Sequence, residues 1–234
     1  MTELLYQTDS YLKEFAAQVT GVDEEQHGVV LNRTAFYPGG GQPNDTGTLI
    51  VGDKAFPVTK VARGNVHIIE GELPAVGTEV RGVINWERRY KLMRTHTAMH
   101  ILCGVVWRDY SASVTGGNME PLEGRMDFEF ATLQRELVTE IENKINAEVA
   151  AARDLRVKIL PREEAFQIPD LIRTKINLLP EGIPDVRTVE IIGLDLQADG
   201  GTHVANTREV GTLKITDYKS KGGINKRIYL SLSD

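Results

Sequence analysis

Cysteine is almost missing from this chain: Cys103 stands alone among 234 residues. No disulfide can form within it, and a lone thiol fits a reducing compartment. Long hydrophobic runs are absent too. No segment approaches the roughly 18 uninterrupted apolar residues that a membrane helix needs, so no membrane partner is expected. The first residues, Met1-Thr2-Glu3-Leu4-Leu5-Tyr6-Gln7-Thr8-Asp9, lack the basic start and apolar core of a secretory signal. The cytoplasm is therefore the expected location. An excess of positive charge is lacking as well: Lys and Arg number 27 against 33 Asp and Glu, for a net charge of −6. That balance excludes a protein that coats nucleic acid indiscriminately, but not one that holds a few phosphates on a small basic patch. Two such patches are candidates: Arg88, Arg89, Lys91 and Arg94, and near the C-terminus Lys219, Lys221, Lys226 and Arg227. Ordinary solvated surface charge would use the same residues.

What is present is ordinary for a globular protein, with 41% hydrophobic and 26% charged residues. The residues up to about 85 read as mostly β. Short runs such as Gly28-Val29-Val30-Leu31, Thr48-Leu49-Ile50-Val51 and Asn65-Val66-His67-Ile68-Ile69 are parted by Gly, Asp and Pro turn signals. Strands of that length and spacing predict a small barrel or sandwich. Between them, Tyr37-Pro38-Gly39-Gly40-Gly41-Gln42-Pro43-Asn44-Asp45-Thr46-Gly47 suits no regular element. Its glycines permit positive φ and close approach, and its prolines block helix and interior strand, although a flexible surface loop has the same composition.

Near Asn85 the period changes. Trp86 to about Asp109 predicts a largely buried helix with Asn85 as N-cap. Thr132 to Arg153 predicts a second, amphipathic helix whose core stripe is Leu133, Leu137, Ile141, Ile145 and Val149. Gly124 to Phe130 alternates like a strand. Further strands are expected at Arg156 to Leu160, Arg187 to Ile192 and Val210 to Tyr218, and Gly222-Gly223 should turn the chain into Lys226 to Leu232. The fold class read from this pattern is α+β. A β-rich domain over 1–85 resembles a small barrel, and an α+β domain over 86–234 sets two long helices on an antiparallel sheet.

Three of the five histidines lie in two short motifs, His96-Thr97-Ala98-Met99-His100 and Asp199-Gly200-Gly201-Thr202-His203. On a helix, residues i and i+4 share a face, so His96 and His100 can converge on one metal ion. Gly200-Gly201 opposes a helix, so Asp199 and His203 should come from a tight loop. Together the four could close a tetrahedral site. The zinc-protease arrangement is excluded, because Thr97 stands where that chemistry needs a glutamate. On spacing alone, a histidine pair packed in a core or on a surface explains the same letters. Cys103, three residues past His100, reads as a core residue and not a ligand.

The surrounding residues extend this. His96-Thr97-Ala98-Met99-His100, then Gly200-Gly201-Thr202-His203-Val204, with Phe36-Tyr37-Pro38-Gly39-Gly40-Gly41-Gln42 upstream, resemble the freestanding alanyl-tRNA editing proteins. Those proteins are similar to the editing domain of alanyl-tRNA synthetase. The resemblance covers nearly the whole chain: Asn32 through Gly47, Arg94 through Leu102, Arg125 to Phe128, Pro161 to Ala165, Leu171 through Pro180 and Leu194 through Gly211. Threonyl-tRNA synthetases carry related domains, but the Gly-rich block looks like the alanyl branch.

The resemblance implies a trans-editing hydrolase that deacylates tRNA(Ala) mischarged with serine, with glycine as a further candidate. Such editing is needed because an alanine pocket discriminates poorly against a missing methyl or an added hydroxyl. It implies one Zn²⁺ per chain, held by His96, His100 and His203. Asp199 occupies the position where the family usually has cysteine. A carboxylate there can ligate the metal directly, or orient a histidine or a metal-bound water from behind. The metal could lower the pKa of a bound water or position the substrate for another. Thr34 and Gln42 are the implied catalytic residues, with Thr34 reading the seryl hydroxyl, and Gly39, Gly40, Gly41 and Arg94 are the implied substrate-binding residues. Two other readings use the same histidines: a non-catalytic, metal-stabilised tRNA-binding module, and a general metallohydrolase of small esters. An editing domain appended to a synthetase is disfavoured, since this chain carries no adenylation domain.

Overall fold

Alternating exposure from Glu14 to Val19 turns Phe15, Ala17 and Val19 to one face of a strand and leaves Glu14, Ala16 and Gln18 on the other. That face is the inner wall of a closed antiparallel barrel. In chain order its strands are β1 (Glu14–Asp23), β2 (Gly28–Leu31), β3 (Gly47–Val51), β4 (Lys54–Ala62), β5 (Val66–Ile69) and β6 (Glu79–Ile84). They pair around the barrel as β1-β2-β5-β4-β3-β6. Closure removes exposed strand edges. Phe15, Leu31, Phe36, Leu49 and Phe56 fill the interior. Gly82 makes the slot for Phe15, whose ring would lie 2.4 Å from any Cβ placed there. The barrel expected from the sequence is present.

The computed structural model describes residues 2–175, 179 and 182–233, so the end of the Leu171-to-Pro180 stretch lies outside the described residues. Tertiary contacts divide the chain into two units, Met1–Lys91 and Leu92–Asp234. The first helix, α1 (Trp86–Tyr110), begins in one and continues into the other. Asn85 caps it as expected: the Arg88 N–H donates to Asn85 Oδ1 at 3.2 Å. Leu92, Met93, Ile101, Leu102, Val105 and Val106 along α1 are all fully buried. Among the described residues, no helix is long and apolar enough to cross a membrane.

In the second unit, β7 (Val114–Glu120) and β8 (Glu123–Glu129) form a hairpin, and α2 (Arg135–Ala150) follows. Then come β9 (Leu155–Pro161), β10 (Asp185–Ile191), β11 (Asp195–Ala198), β12 (Thr212–Ser220) and β13 (Asn225–Ser233). Two antiparallel sheets result, ordered β12-β13-β8-β7 and β9-β10-β11. The terminal hairpin turns at Gly222 and Gly223, where φ is +108° and +42°.

The α2 stripe differs from its prediction. The buried positions are Val138, Ile141, Ile145 and Glu148, while Leu133, Leu137 and Val149 are only half-buried. Leu133 precedes the helix, which starts at Arg135, and a strict four-residue repeat drifts around a helix of 3.6 residues per turn, which carries Leu137 and Val149 off the core face. Val210 also differs, ending a short 3-10 turn (Thr207–Val210) ahead of β12. Asn146 of α2 exchanges two hydrogen bonds with the main chain of Leu213, and Glu142 accepts from the Ile215 N–H. These bonds cover the outer edge of β12, which would otherwise present unpaired main-chain groups.

Candidate metal centre

His96 and His100 lie on the same face of α1, one turn apart, with ring centroids separated by 5.1 Å. His203 reaches the same point from the loop after β11. Its ring lies 4.2 Å from that of His96 and 4.7 Å from that of His100. Asp199 begins this loop. Its Oδ2 is 3.0 Å from His203 Nε2 and accepts the Gly201 N–H at 2.8 Å, while Oδ1 lies 3.4 Å from His96 Nε2. One donor atom from each of the four residues falls within 4.8 Å of all the others. The tight loop expected from Gly200-Gly201 is what lets the chain return on itself here.

The electrostatics suit a cation. Burial pushes the His96 imidazole down to about 4, with Asp199 opposing, and burial together with the neighbouring His96 holds His203 well below the usual histidine range. His100 moves up: burial acts against its charged form, but Asp195 and Asp199 outweigh it. Burial raises the Asp199 carboxyl, yet the surrounding imidazoles outweigh this and hold it well below the ordinary carboxylate range. An ionised Asp199 and neutral His96 and His203 are in the protonation state in which they can ligate, and His100 joins them by giving up the proton that the two carboxylates favour. Buried imidazoles packed this closely gain little from one another, whereas a metal ion would take one donor atom from each of the four residues.

Four residues support the cluster, and the sequence assigned none of them that role. Asp195 of β11 places Oδ2 3.3 Å from His100 Nδ1, which leaves Nε2 of that ring for the cluster. Gly104 on α1 lets the turn carrying Asp195 close in, since a Cβ there would stand 2.9 Å from Leu194 Cγ and 3.0 Å from Asp195 Cβ. Thr97 lies 3.1 Å from His203 Nδ1 through its hydroxyl, which also accepts the Val204 N–H. The letter that excluded a protease therefore helps to orient the third imidazole. Arg187 of β10 donates to the Asp199 main-chain carbonyl at 2.9 Å and so fixes the root of the loop. Cys103 is buried, and burial drives its thiol far up, in keeping with a packing role.

Thr34 and Gln42 are both fully buried. Thr34 Oγ1 is 2.8 Å from His67 Nε2 and accepts the Phe36 N–H. His67 Nδ1 faces the Val29 carbonyl, an acceptor only, so Nδ1 carries the proton. Burial pushes His67 down to about 4, so the ring is neutral and Nε2 accepts from the Thr34 hydroxyl. Thr34 has one acceptor position left. Gly39 and Gly40 adopt φ of +97° and +140°, and Gly40 and Gly41 form an exposed loop tip.

The proposed basic patches are largely dismantled. Arg89 is wholly buried against Asp45, and Lys91 pairs with Glu87. Arg94, expected at the substrate, is buried with its guanidinium donating to the carbonyls of Val210 and Ser233, where it braces the C-terminal strand. At the other end, Arg227 forms a bidentate pair with Asp127, and Lys226 is buried and bonded to the Gly223 carbonyl. Charge clusters in sequence are here mostly internal fastenings.

The family described as "Threonyl and Alanyl tRNA synthetase second additional domain" matches residues 186–229, which hold Arg187, Asp195, Asp199 and His203. The family described as "tRNA synthetases class II (A)" matches residues 6–88, which include the Gly-rich loop. The chain is 41% identical to the alanyl-tRNA editing protein AlaX-M of Saccharolobus solfataricus, covering 99% of both chains. It is 40% identical to AlaX-M of Methanosarcina mazei, over 100% of this chain and 98% of that one. The chain belongs to the AlaX-M family of alanyl-tRNA editing proteins. It is also 40% identical to the alanine–tRNA ligase of Ignicoccus hospitalis, over 92% of this chain but only 24% of the ligase. The AlaX-M likeness therefore spans both units, Gly-rich loop and histidine cluster together.

Proposed function

We propose that this AlaX-M chain hydrolyses tRNA(Ala) mischarged with serine or glycine, using one Zn²⁺ held by His96, His100, Asp199 and His203. The observation that carries this reading is the convergence of these four donors in a chain similar along its whole length to alanyl-tRNA editing proteins. Three imidazoles and a carboxylate form a borderline-to-hard donor set that suits zinc in the absence of thiolate. When bound, the ion supplies Lewis acidity at the ester group. The protein's own residues hold that ion, exclude competing geometries and orient the ester; an added water breaks the bond between acyl carbon and ribose oxygen, giving the free amino acid and uncharged tRNA. The substrate and the lone buried thiol point to action in the cytoplasm.

Asp195 acts in this scheme by orienting His100. Asp195→Asn is expected to weaken zinc binding by about 10–100-fold, read by competition with a chelator. Wild-type affinity in that variant would remove Asp195 from the site.

Thr34 reads the serine side chain. With its proton committed to His67 and one lone pair to Phe36, it offers an acceptor to a seryl O–H once substrate entry uncovers it, and nothing to the methyl of alanine. Gln42 and the main chain of Gly39 to Gly41 hold the acceptor end. Thr34→Val is expected to cut the preference for Ser-tRNA(Ala) over Ala-tRNA(Ala) by roughly 3–10-fold, the worth of one hydrogen bond. The deacylation rates of the two substrates measure it, and an unchanged ratio would take Thr34 out of the serine pocket.

A further inference from the structure

The tip of the Gly-rich loop is exposed, but its root is held by a dense set of buried hydrogen bonds. Tyr37 and Asp45 close the root: the Asp45 N–H donates to the Tyr37 carbonyl at 3.0 Å, and the Tyr37 N–H donates to Asp45 Oδ2 at 2.6 Å. Arg89, in the first turns of α1, then engages this carboxylate with Nε and Nη2. Its remaining donors go to the carbonyls of Ala35 at 2.5 Å and Ser10 at 3.0 Å. The side chains of Arg89 and Asp45 are 0% and 1% exposed. Two neighbours add ties from the same helix start: Arg88 Nε donates to the Asn44 carbonyl, and the Asn85 N–H to that of Thr46.

A buried ion pair is a poor device for stability alone, because apolar residues of similar volume often serve as well. What it supplies is direction, since a planar guanidinium satisfies several acceptors only in one arrangement. The loop it holds has the opposite character. Glycines at φ of +97° and +140° have many alternatives, and ordering them at the moment of binding would cost free energy. We propose that Arg89 is the positioning residue of the Gly-rich loop: by fixing Asp45 and the loop root to the start of α1, it keeps the main-chain groups of Gly40 and Gly41 in the arrangement that receives the acceptor end of the tRNA. This rests on the editing reading above.

Arg89→Lys in the full chain tests it, because lysine keeps the charge but cannot bridge the same acceptors. The expected result has three parts. Zinc content stays at the wild-type level, amide exchange across residues 38–44 accelerates, and kcat for Ser-tRNA(Ala) falls by about 10–100-fold, as for a misplaced reacting group. Wild-type kcat despite faster exchange would overturn the proposal, and so would slower turnover with unchanged exchange. If Arg89→Lys fails to fold, Gly40→Ala decides. Its exposed site carries a φ closed to L-residues, so the tip must rearrange over an intact root, and kcat should fall as far; wild-type kcat would overturn the proposal. A wild-type protein without deacylase activity would instead refute the editing reading, and unchanged exchange in Arg89→Lys would still refute the clamp.

Discussion

His100→Ala and His203→Ala are each expected to lose zinc and deacylation together, with kcat/KM for Ser-tRNA(Ala) falling on the order of a thousandfold or more. That corresponds to about 4 kcal/mol of transition-state stabilisation. The magnitude follows from how closely the site is built. Each imidazole lies within 5.1 Å of the other two, centroid to centroid, and among the described residues no further histidine belongs to the cluster to take over. Alanine at position 100 also strands Asp195 without the ring it orients, and alanine at 203 leaves the Asp199 carboxylate with one imidazole neighbour fewer. Metal analysis and single-turnover deacylation on the same samples provide the check. Full turnover in both metal-free variants would overturn the zinc-centred reading.

Arg89→Met is expected to be the most destabilising single change in the first unit, by about 3–5 kcal/mol, since it leaves a fully buried carboxylate without its counter-charge. The Tyr37 N–H remains as one partner for Asp45, which is too little for an ionised group out of water. Adding Asp45→Leu should recover part of this loss by removing the stranded charge. Recovery stays incomplete because the hydrogen bonds from Arg89 to the Ala35 and Ser10 carbonyls and from the Tyr37 N–H to Asp45 are lost. Thermal melting of the two variants beside the wild type distinguishes the cases. A wild-type melting temperature for Arg89→Met would contradict the buried pair itself.

The contrast between Arg89 and His96 shows what the chain reveals before it is folded. The histidine pair was legible because helical spacing puts i and i+4 on one face, and the companion loop because two glycines announce a tight turn. The two helices were legible for the same reason of periodicity, Asn85 with its capping side chain included. Charge gave no such guide. Arg88, Arg89, Lys91 and Arg94 form one run in sequence, yet two of them face inward, because helix rotation and not composition decides which charge meets solvent. Asp195 was hidden for a related reason: its partner His100 is distant in sequence, and a single carboxylate in a strand carries no local pattern. The barrel strands β1 and β6 escaped notice as well. A bulge between Val19 and Gly21 breaks the alternation of β1, and Gly82 interrupts that of β6 to admit the Phe15 ring.

The most direct test of the whole account is the deacylation rate of Ser-tRNA(Ala) against Ala-tRNA(Ala), with zinc determined on the same preparation. Rapid, serine-selective release with about one zinc per chain is the predicted result. Intact tRNA binding with no release from either substrate would contradict it, and would make Asp199 the first residue to exchange for cysteine.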